Sequence, residues 1–277
     1  MNTRTFIVVF FFLILSNQKN YGQGFSNEFG LTVGPIVFYS DYGSRNNFET
    51  NSGNVGYGVG FVHFINFTRS SGCKCYTRGT FWNDHFKLRN EIDYHVTNFK
   101  HRGPWVDPNI TSITADQLRG MRGSTTVFEL GTQIEYFPFS IRDFEANSYK
   151  VAPFVSVGVH WVSYDTQSST DFGAESDSPT IFDPGGLTNP DNVPEKYINA
   201  FNQQQGNTWT IVTSIGARYK ITRNSDLLID ARWNYYFSDW VDGLNPSFEA
   251  NETVQVPENQ SNDWVFWLKI GYIYYLD

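Results

Sequence analysis

The sequence predicts an all-β protein, an eight-stranded antiparallel up-and-down transmembrane β-barrel. Three observations carry this. Apolar and polar residues alternate with a period of two in eight segments along the chain. The apolar-facing positions of those segments hold no Asp, Glu, Lys or Arg, although 17% of the chain is charged. Gly, Pro, Asn, Asp and Ser gather in the gaps between them, where turns need their backbone chemistry.

Composition narrows the classes. The 277 residues are 40% hydrophobic and 18% aromatic, too rich in core-formers for a disordered chain. Two cysteines supply neither a disulfide framework nor a four-cysteine metal site. A net charge of −8 and a pI near 5.1 argue against the basic face of a nucleic-acid binder. Mean hydropathy of −0.38 rules out a helical membrane bundle, but not a barrel, whose apolar residues alternate with polar ones.

The single continuous apolar run, Phe6 to Leu15, follows Arg4 and gives way to polar residues from Asn17 to Gln23. It is about half the roughly 20 residues that a membrane-spanning helix needs. It reads as a secretory signal, residues 1–23, cleaved near Gly22 or Gln23. Residues 24–277 then form one barrel domain in an outer membrane.

The expected strands are Glu28–Tyr39, Val55–Phe67, Phe86–Val96, Thr125–Phe137, Val151–Tyr164, Trp209–Ile221, Leu227–Phe237 and Trp264–Leu276. In the second, Val55, Tyr57, Val59, Phe61 and Ile65 alternate with Gly56, Gly58, Gly60 and Val62. In the third, Phe86, Leu88, Ile92 and Tyr94 alternate with Lys87, Arg89, Glu91, Asp93 and His95. The last sets Trp264, Phe266, Leu268, Ile270, Tyr272 and Tyr274 against Lys269 and Gly271.

A soluble sandwich or lipocalin-like barrel would turn the apolar face inward, whereas a membrane barrel turns it to lipid. Aromatics near strand ends (Tyr39, Trp161, Trp209, Phe237, Trp264, Tyr274) sit where an interfacial girdle lies. The opposite face carries Lys87, Arg89, Arg218, Lys220, Arg232 and Lys269 against Glu91, Asp93, Glu129, Glu135 and Asp230, near balance. Such a set can pair inside an eight-stranded barrel, which has room only for its own side chains. Gap lengths agree. Outer loops are expected at Ser40–Asn54, Thr97–Ser124, Asp165–Thr208 and Ser238–Asp263, and shorter inner turns at Thr68–His85, Phe139–Lys150 and Thr222–Asp226.

Other motifs read as structural. Gly56-Tyr-Gly-Val-Gly60 lies within a strand with no helix after it, so a dinucleotide site has nothing to build on. Small lumen residues beside bulky ones explain it better. Cys73 and Cys75 lie in the first inner turn. A disulfide between them would close a strained ring yet is open to an oxidising compartment, and a metal or redox role, free thiols or a partner contact are the alternatives. His63, His85, His95, His101 and His160 lack metal-ligand spacing, with His95 and His160 on the lumen face. His101 with Asp107 and nearby serines is the nearest approach to a catalytic set, without a marked nucleophile. The acidic loop Asp165–Thr208 lacks the calcium-loop order. No enzyme activity, cofactor or metal is expected, and outer-membrane lipid is the expected partner.

The chain resembles the PorG-like small outer-membrane barrels associated with type IX secretion. Ser40-Asp-Tyr-Gly43 is similar to the close of that family's first strand, and Tyr136-Phe-Pro-Phe139 to its fourth strand and turn. Val151-Ala-Pro-Phe-Val-Ser-Val-Gly-Val159, Ile215-Gly-Ala-Arg-Tyr-Lys220 and Tyr236-Phe-Ser-Asp-Trp-Val-Asp-Gly243 are similar to later strands, and Asp263-Trp264 to the start of the last. The ending Tyr275-Leu-Asp277 and the Cys-x-Cys turn depart from the pattern. The resemblance implies a barrel that anchors periplasmic secretion-ring proteins through the inner turns Thr68–His85 and Phe139–Lys150. A structural or adhesive envelope barrel, or a lipid-modifying barrel enzyme, are the alternatives.

Overall fold

The computed structural model describes residues 26–43, 47–67, 81–172, 180–181, 193–194, 197, 200–201, 205–245 and 262–276. Residues 1–23, expected to be a secretory signal, Cys73 and Cys75, and much of the loop from 165 to 208 lie outside these residues.

Eight long strands form the barrel: β1 (Ser26–Tyr39), β2 (Val55–Asn66), β3 (Phe86–Lys100), β4 (Met121–Tyr136), β5 (Val151–Thr170), β7 (Gly206–Thr222), β8 (Ser225–Tyr236) and β9 (Trp264–Tyr275). A two-residue strand, β6 (Thr180–Ile181), pairs with the end of β5. Every pairing is antiparallel, each long strand pairs with the next long strand of the chain, and β1 pairs with β9 from Glu28–Tyr275 to Tyr39–Trp264, which closes the sheet on itself. Closure removes the free edges that an open sheet would expose. Among the described residues no helix is long and apolar enough to cross a membrane.

The alternation takes the orientation expected of a membrane barrel. Leu31, Val33, Tyr57, Val59, Leu130, Ile134, Val157, Ile215, Ile229, Ile270 and Tyr272 face outward and are exposed, while the charged residues between them are buried. Water would penalise so continuous an apolar exterior, but hydrocarbon does not. Aromatics mark the outer rim of this belt: Tyr39 stacks on Trp264 with ring centres 3.7 Å apart, and Trp161 pairs with Trp209 across β5 and β7. Phe86, Tyr136 and Tyr274 mark the inner rim, with the Trp82 ring tilted against Phe86.

Three strands run further than the alternation indicates. β3 continues to Lys100, β4 starts at Met121 and β5 reaches Thr170. Past the belt the pattern inverts: Asn98, Lys100, Arg122 and Asp165 turn outward, and Phe99, Met121 and Thr166 are buried. A polar wall therefore rises beyond the bilayer on one side of the outer mouth.

Short helices close the ends. In the outer loops are α1 (Phe48–Asn51), a 3-10 turn (Pro104–Val106) and α3 (Ile113–Gly120), capped by Ser112, whose hydroxyl accepts from the Ala115 amide. At the inner end are α2 (Phe81–His85) and α4 (Ile141–Glu145), the latter capped by Ser140. The β7–β8 turn needs only residues 223–224, so Asp226, expected in that turn, belongs to β8 and points into the lumen.

Candidate functional site: a sealed ionic lumen

All eleven charged residues expected on the lumen face, from Lys87 to Lys269, are at most 2% exposed. Alternate positions of β3, β4, β7, β8 and β9 deliver them, because successive side chains of a strand point to opposite faces. They assemble in tiers along the barrel axis. Nearest the inner end, Arg218 reaches Glu28 at 2.5 Å and Glu135 at 3.1 Å, Lys87 bonds Glu28, and Lys220 pairs with Asp226 at 3.2 Å. In the middle tier Arg89 holds Glu91 at 2.7 Å and Asp230 at 2.9 Å. Arg232 holds Asp93 at 2.9 Å and also bonds Glu91, and Lys269 holds Asp93 at 2.8 Å.

The outermost tier differs in kind. Glu129 has no Lys or Arg partner among the described residues. Its carboxylate accepts from Tyr236 Oη at 2.7 Å and Asn234 Nδ2 at 2.9 Å, and lies 3.1 Å from His160 Nδ1 and 3.7 Å from His95 Nε2. Sequence reasoning placed these histidines on the lumen face. It did not name Glu28 or Asp226 as members of the network. Glu28 was missed as the first residue of the expected strand Glu28–Tyr39, where alternation has only begun; Asp226 was missed because Ser, Asp and Asn also signal turns.

Glu91, Asp93 and His160 bring donor atoms within 4.8 Å of one another, the geometry of a metal site. Here Arg232 and Lys269 already occupy both carboxylates. A dication would meet two fixed cations, so the trio fits charge pairing and not metal.

Between and beyond these tiers lies a feature the sequence reading lacked. Lumen-facing aromatics plug both ends. At the inner end Phe64, Phe137, Phe144 and Phe154 pack with Ile141 and Ile273. At the outer end Phe38, Tyr42, Phe99, Tyr197, Phe201, Val241, Leu244 and Trp267 form a second cluster. Charges meet the plugs through ring faces: the Arg218 guanidinium sits 4.0 Å from the Phe64 ring centre, and Lys269 Nζ 3.8 Å from that of Trp267. The Gly-rich run of β2 makes room for this packing. A Cβ at Gly58 would lie 2.5 Å from the Trp267 ring, and one at Gly60 would lie 2.0 Å from Asp93 Oδ1.

At the outer mouth a group of aspartates ties loops together. Asp242 Oδ2 accepts from the Asp41 amide at 2.8 Å, and Asp263 Oδ2 accepts from the amides of Val241 and Asp242 at 2.9 and 3.1 Å. Burial pushes the Asp242 carboxyl up to about 8, with nearby Asp239 adding to it, and holds Asp263 well above the usual carboxylate range. Burial also lifts Asp239 to about 6.

The remaining candidates do not converge on chemistry. His101 lies between the rings of Tyr42 and Tyr197, while Asp107 turns its carboxylate to Asn109. His63 accompanies Asn27 on the outer surface, and His85 Nδ1 meets the Phe137 carbonyl at 2.6 Å. The two inner turns touch through Arg142 and Asp84 at 3.1 Å.

No protein-family model and no characterised relative matches the sequence. Among solved structures, the chain is similar to a major outer membrane protein of Thermus thermophilus, at 14% identity over 90% of this chain and 99% of that one, with a TM-score of 0.44. Neisserial surface protein A aligns at 14% identity over 91% and 97% of the two chains, with a TM-score of 0.39. The outer membrane protein OprG of Pseudomonas aeruginosa aligns at 11% over 90% and 96%, also at 0.39. The chain's own geometry, a closed antiparallel barrel with an apolar belt, aromatic rims and an enclosed ionic lumen, is that of a bacterial outer-membrane β-barrel.

Proposed function

We propose that this barrel is a non-catalytic anchor in the outer membrane, an accessory component of type IX protein secretion. One observation carries the non-catalytic part: the charged side chains of the lumen are engaged with one another or, at Glu129, with buried Tyr236, Asn234 and histidines, beneath apolar plugs at both ends and out of reach of substrate. The loops and turns are what remains for contact. The inner turns offer a built surface, with α2 and α4 joined by the Arg142–Asp84 pair and with Phe81, Trp82 and Phe139 exposed beside it. A periplasmic ring protein would dock there. The secretion role itself rests on the resemblance of the strand motifs to PorG-like barrels.

Deleting the gene tests this reading. Loss of secreted cargo, restored by the wild-type chain and not by one carrying Trp82→Ala and Phe139→Ala, is the expected result. Normal secretion after deletion overturns the secretion role and leaves a structural or adhesive envelope barrel. Sizeable single-channel currents in planar bilayers would overturn the sealed lumen, and acyl hydrolysis or transfer by the purified protein would overturn the non-catalytic assignment.

A further inference from the structure

The outer mouth holds a cup of about 640 Å³ that neither the ionic lumen nor the inner turns explain. Its volume falls in the range of small-molecule sites, roughly 300–1,000 Å³. It is blind: beneath it Tyr42 stacks on Phe99 at 5.4 Å and Phe99 meets Phe38 edge-on at 5.0 Å, sealing it from the lumen. Three outer segments build it, the stretch after β1, the β3–β4 loop with α3, and Tyr197. The wall is mainly apolar, formed by Tyr42, Trp105, Ile110, Ala115, Leu118 and Tyr197.

Asp41, Thr50, His101, Arg102, Ser112 and Thr114 supply the polar part of the lining, and among them Arg102 is the exposed charge. Arg102 lines the cup and is exposed, and it has no ion pair or hydrogen bond to any other described residue. The other arginines of this loop are committed: Arg119 binds Asp116 and the carbonyls of Asp107 and Ile110, and Arg122 pairs with Asp171 at 2.9 Å. The Arg102 side chain lies across Gly53, where an added Cβ would come 2.1 Å from Nε. Asp41, on the floor, is only 1% exposed, and its amide is tied to Asp242. A mainly apolar cup with an exposed, uncommitted guanidinium matches a molecule with an apolar body and one anionic head.

We propose that the outer mouth binds a small amphipathic organic anion, its apolar body in the cup and its carboxylate or sulfonate on Arg102. The site is independent of the secretion role, since it lies at the opposite end from the inner turns.

The test uses the full chain in nanodiscs, with 2-naphthylacetate and its uncharged analogue 2-(2-naphthyl)ethanol as calorimetric probes and empty nanodiscs as the blank. Saturable one-site binding of naphthylacetate is expected, lost in Ala115→Trp and in Ile110→Trp, which fill the cup from two sides. Arg102→Gln should weaken naphthylacetate about tenfold, the worth of one charge-assisted hydrogen bond, and leave the alcohol unchanged. Equal binding by the wild type and both filled variants, or no saturable binding at all, overturns the site. Equal loss of both probes in Arg102→Gln overturns the anionic class.

Discussion

Neighbouring residues on β9 live in opposite solvents. Ile270 is 52% exposed on the belt, and Lys269 beside it is 0% exposed among carboxylates. One face of the strand tolerates any apolar side chain, because lipid conforms to whatever it meets. The other face is a fitted polar interior, where each charge needs its partner and each ring its gap. Volume and charge are therefore constrained in the lumen, while only polarity is constrained on the belt.

The largest break should come from the lumen. Arg232→Met leaves Glu91, Asp93 and Asp230 short of a shared cation. Stripping one partner from a buried pair costs about 3–5 kcal/mol, so urea unfolding from liposomes should shift markedly toward lower denaturant. An unchanged midpoint would mean that water enters the lumen. Next comes the belt: Ile270→Arg near mid-strand should cost about 2–4 kcal/mol, the penalty of a cation at the bilayer midplane. If that variant is as stable as the wild type, this face does not meet hydrocarbon. Smaller again, Gly58→Val drives a side chain into Trp267, an overpacking of about 1–3 kcal/mol. The same unfolding assay should show partial rescue by Trp267→Leu, and no rescue would point to backbone strain in β2 instead.

The smallest effect concerns the outer mouth, where neither face rule applies. The folded carboxyl of Asp242 titrates near 8, above its ordinary 3.8, so the folded state keeps a proton that the unfolded loop releases. This stabilisation is complete below about pH 4 and is lost as pH rises toward 8. The protection of the Val241–Leu244 amides, meaning each exchange rate relative to its intrinsic rate at the same pH, should fall over that window, and Asp242→Asn should reduce the response. Protection that stays constant from about pH 4 to 8 in the wild type would show that the carboxyl titrates normally.

The belt was legible because lipid imposes a single rule on alternate residues, and Val55–Phe67 or Trp264–Leu276 display it in plain form. The lumen was legible only in its charges. Phe38, Phe64, Phe99 and Trp267 occupy the same face as Lys87 and Lys269, and a period-two pattern does not separate a plug residue from an ionic one. Tier order along the axis depends on strand tilt and stagger, which pair Arg218 with Glu28 across 190 positions of sequence. The strand extensions were missed for a different reason. Beyond the bilayer water replaces lipid, the outward residues become Asn98, Lys100 and Arg122, and the apolar signal ends before the hydrogen bonding does. The Arg102 cup had no sequence signal, since its walls come from segments that meet only after the outer loops fold over the mouth.

The orientation of the sheet decides which tryptophan touches lipid. Two variants, each with every tryptophan replaced by Phe except Trp233 on the outer face or Trp267 in the lumen, can be folded into vesicles of brominated phosphatidylcholine. Strong quenching of Trp233 and little quenching of Trp267 is the predicted result. Protection of Trp233 with quenching of Trp267 would mean that the barrel is turned inside out.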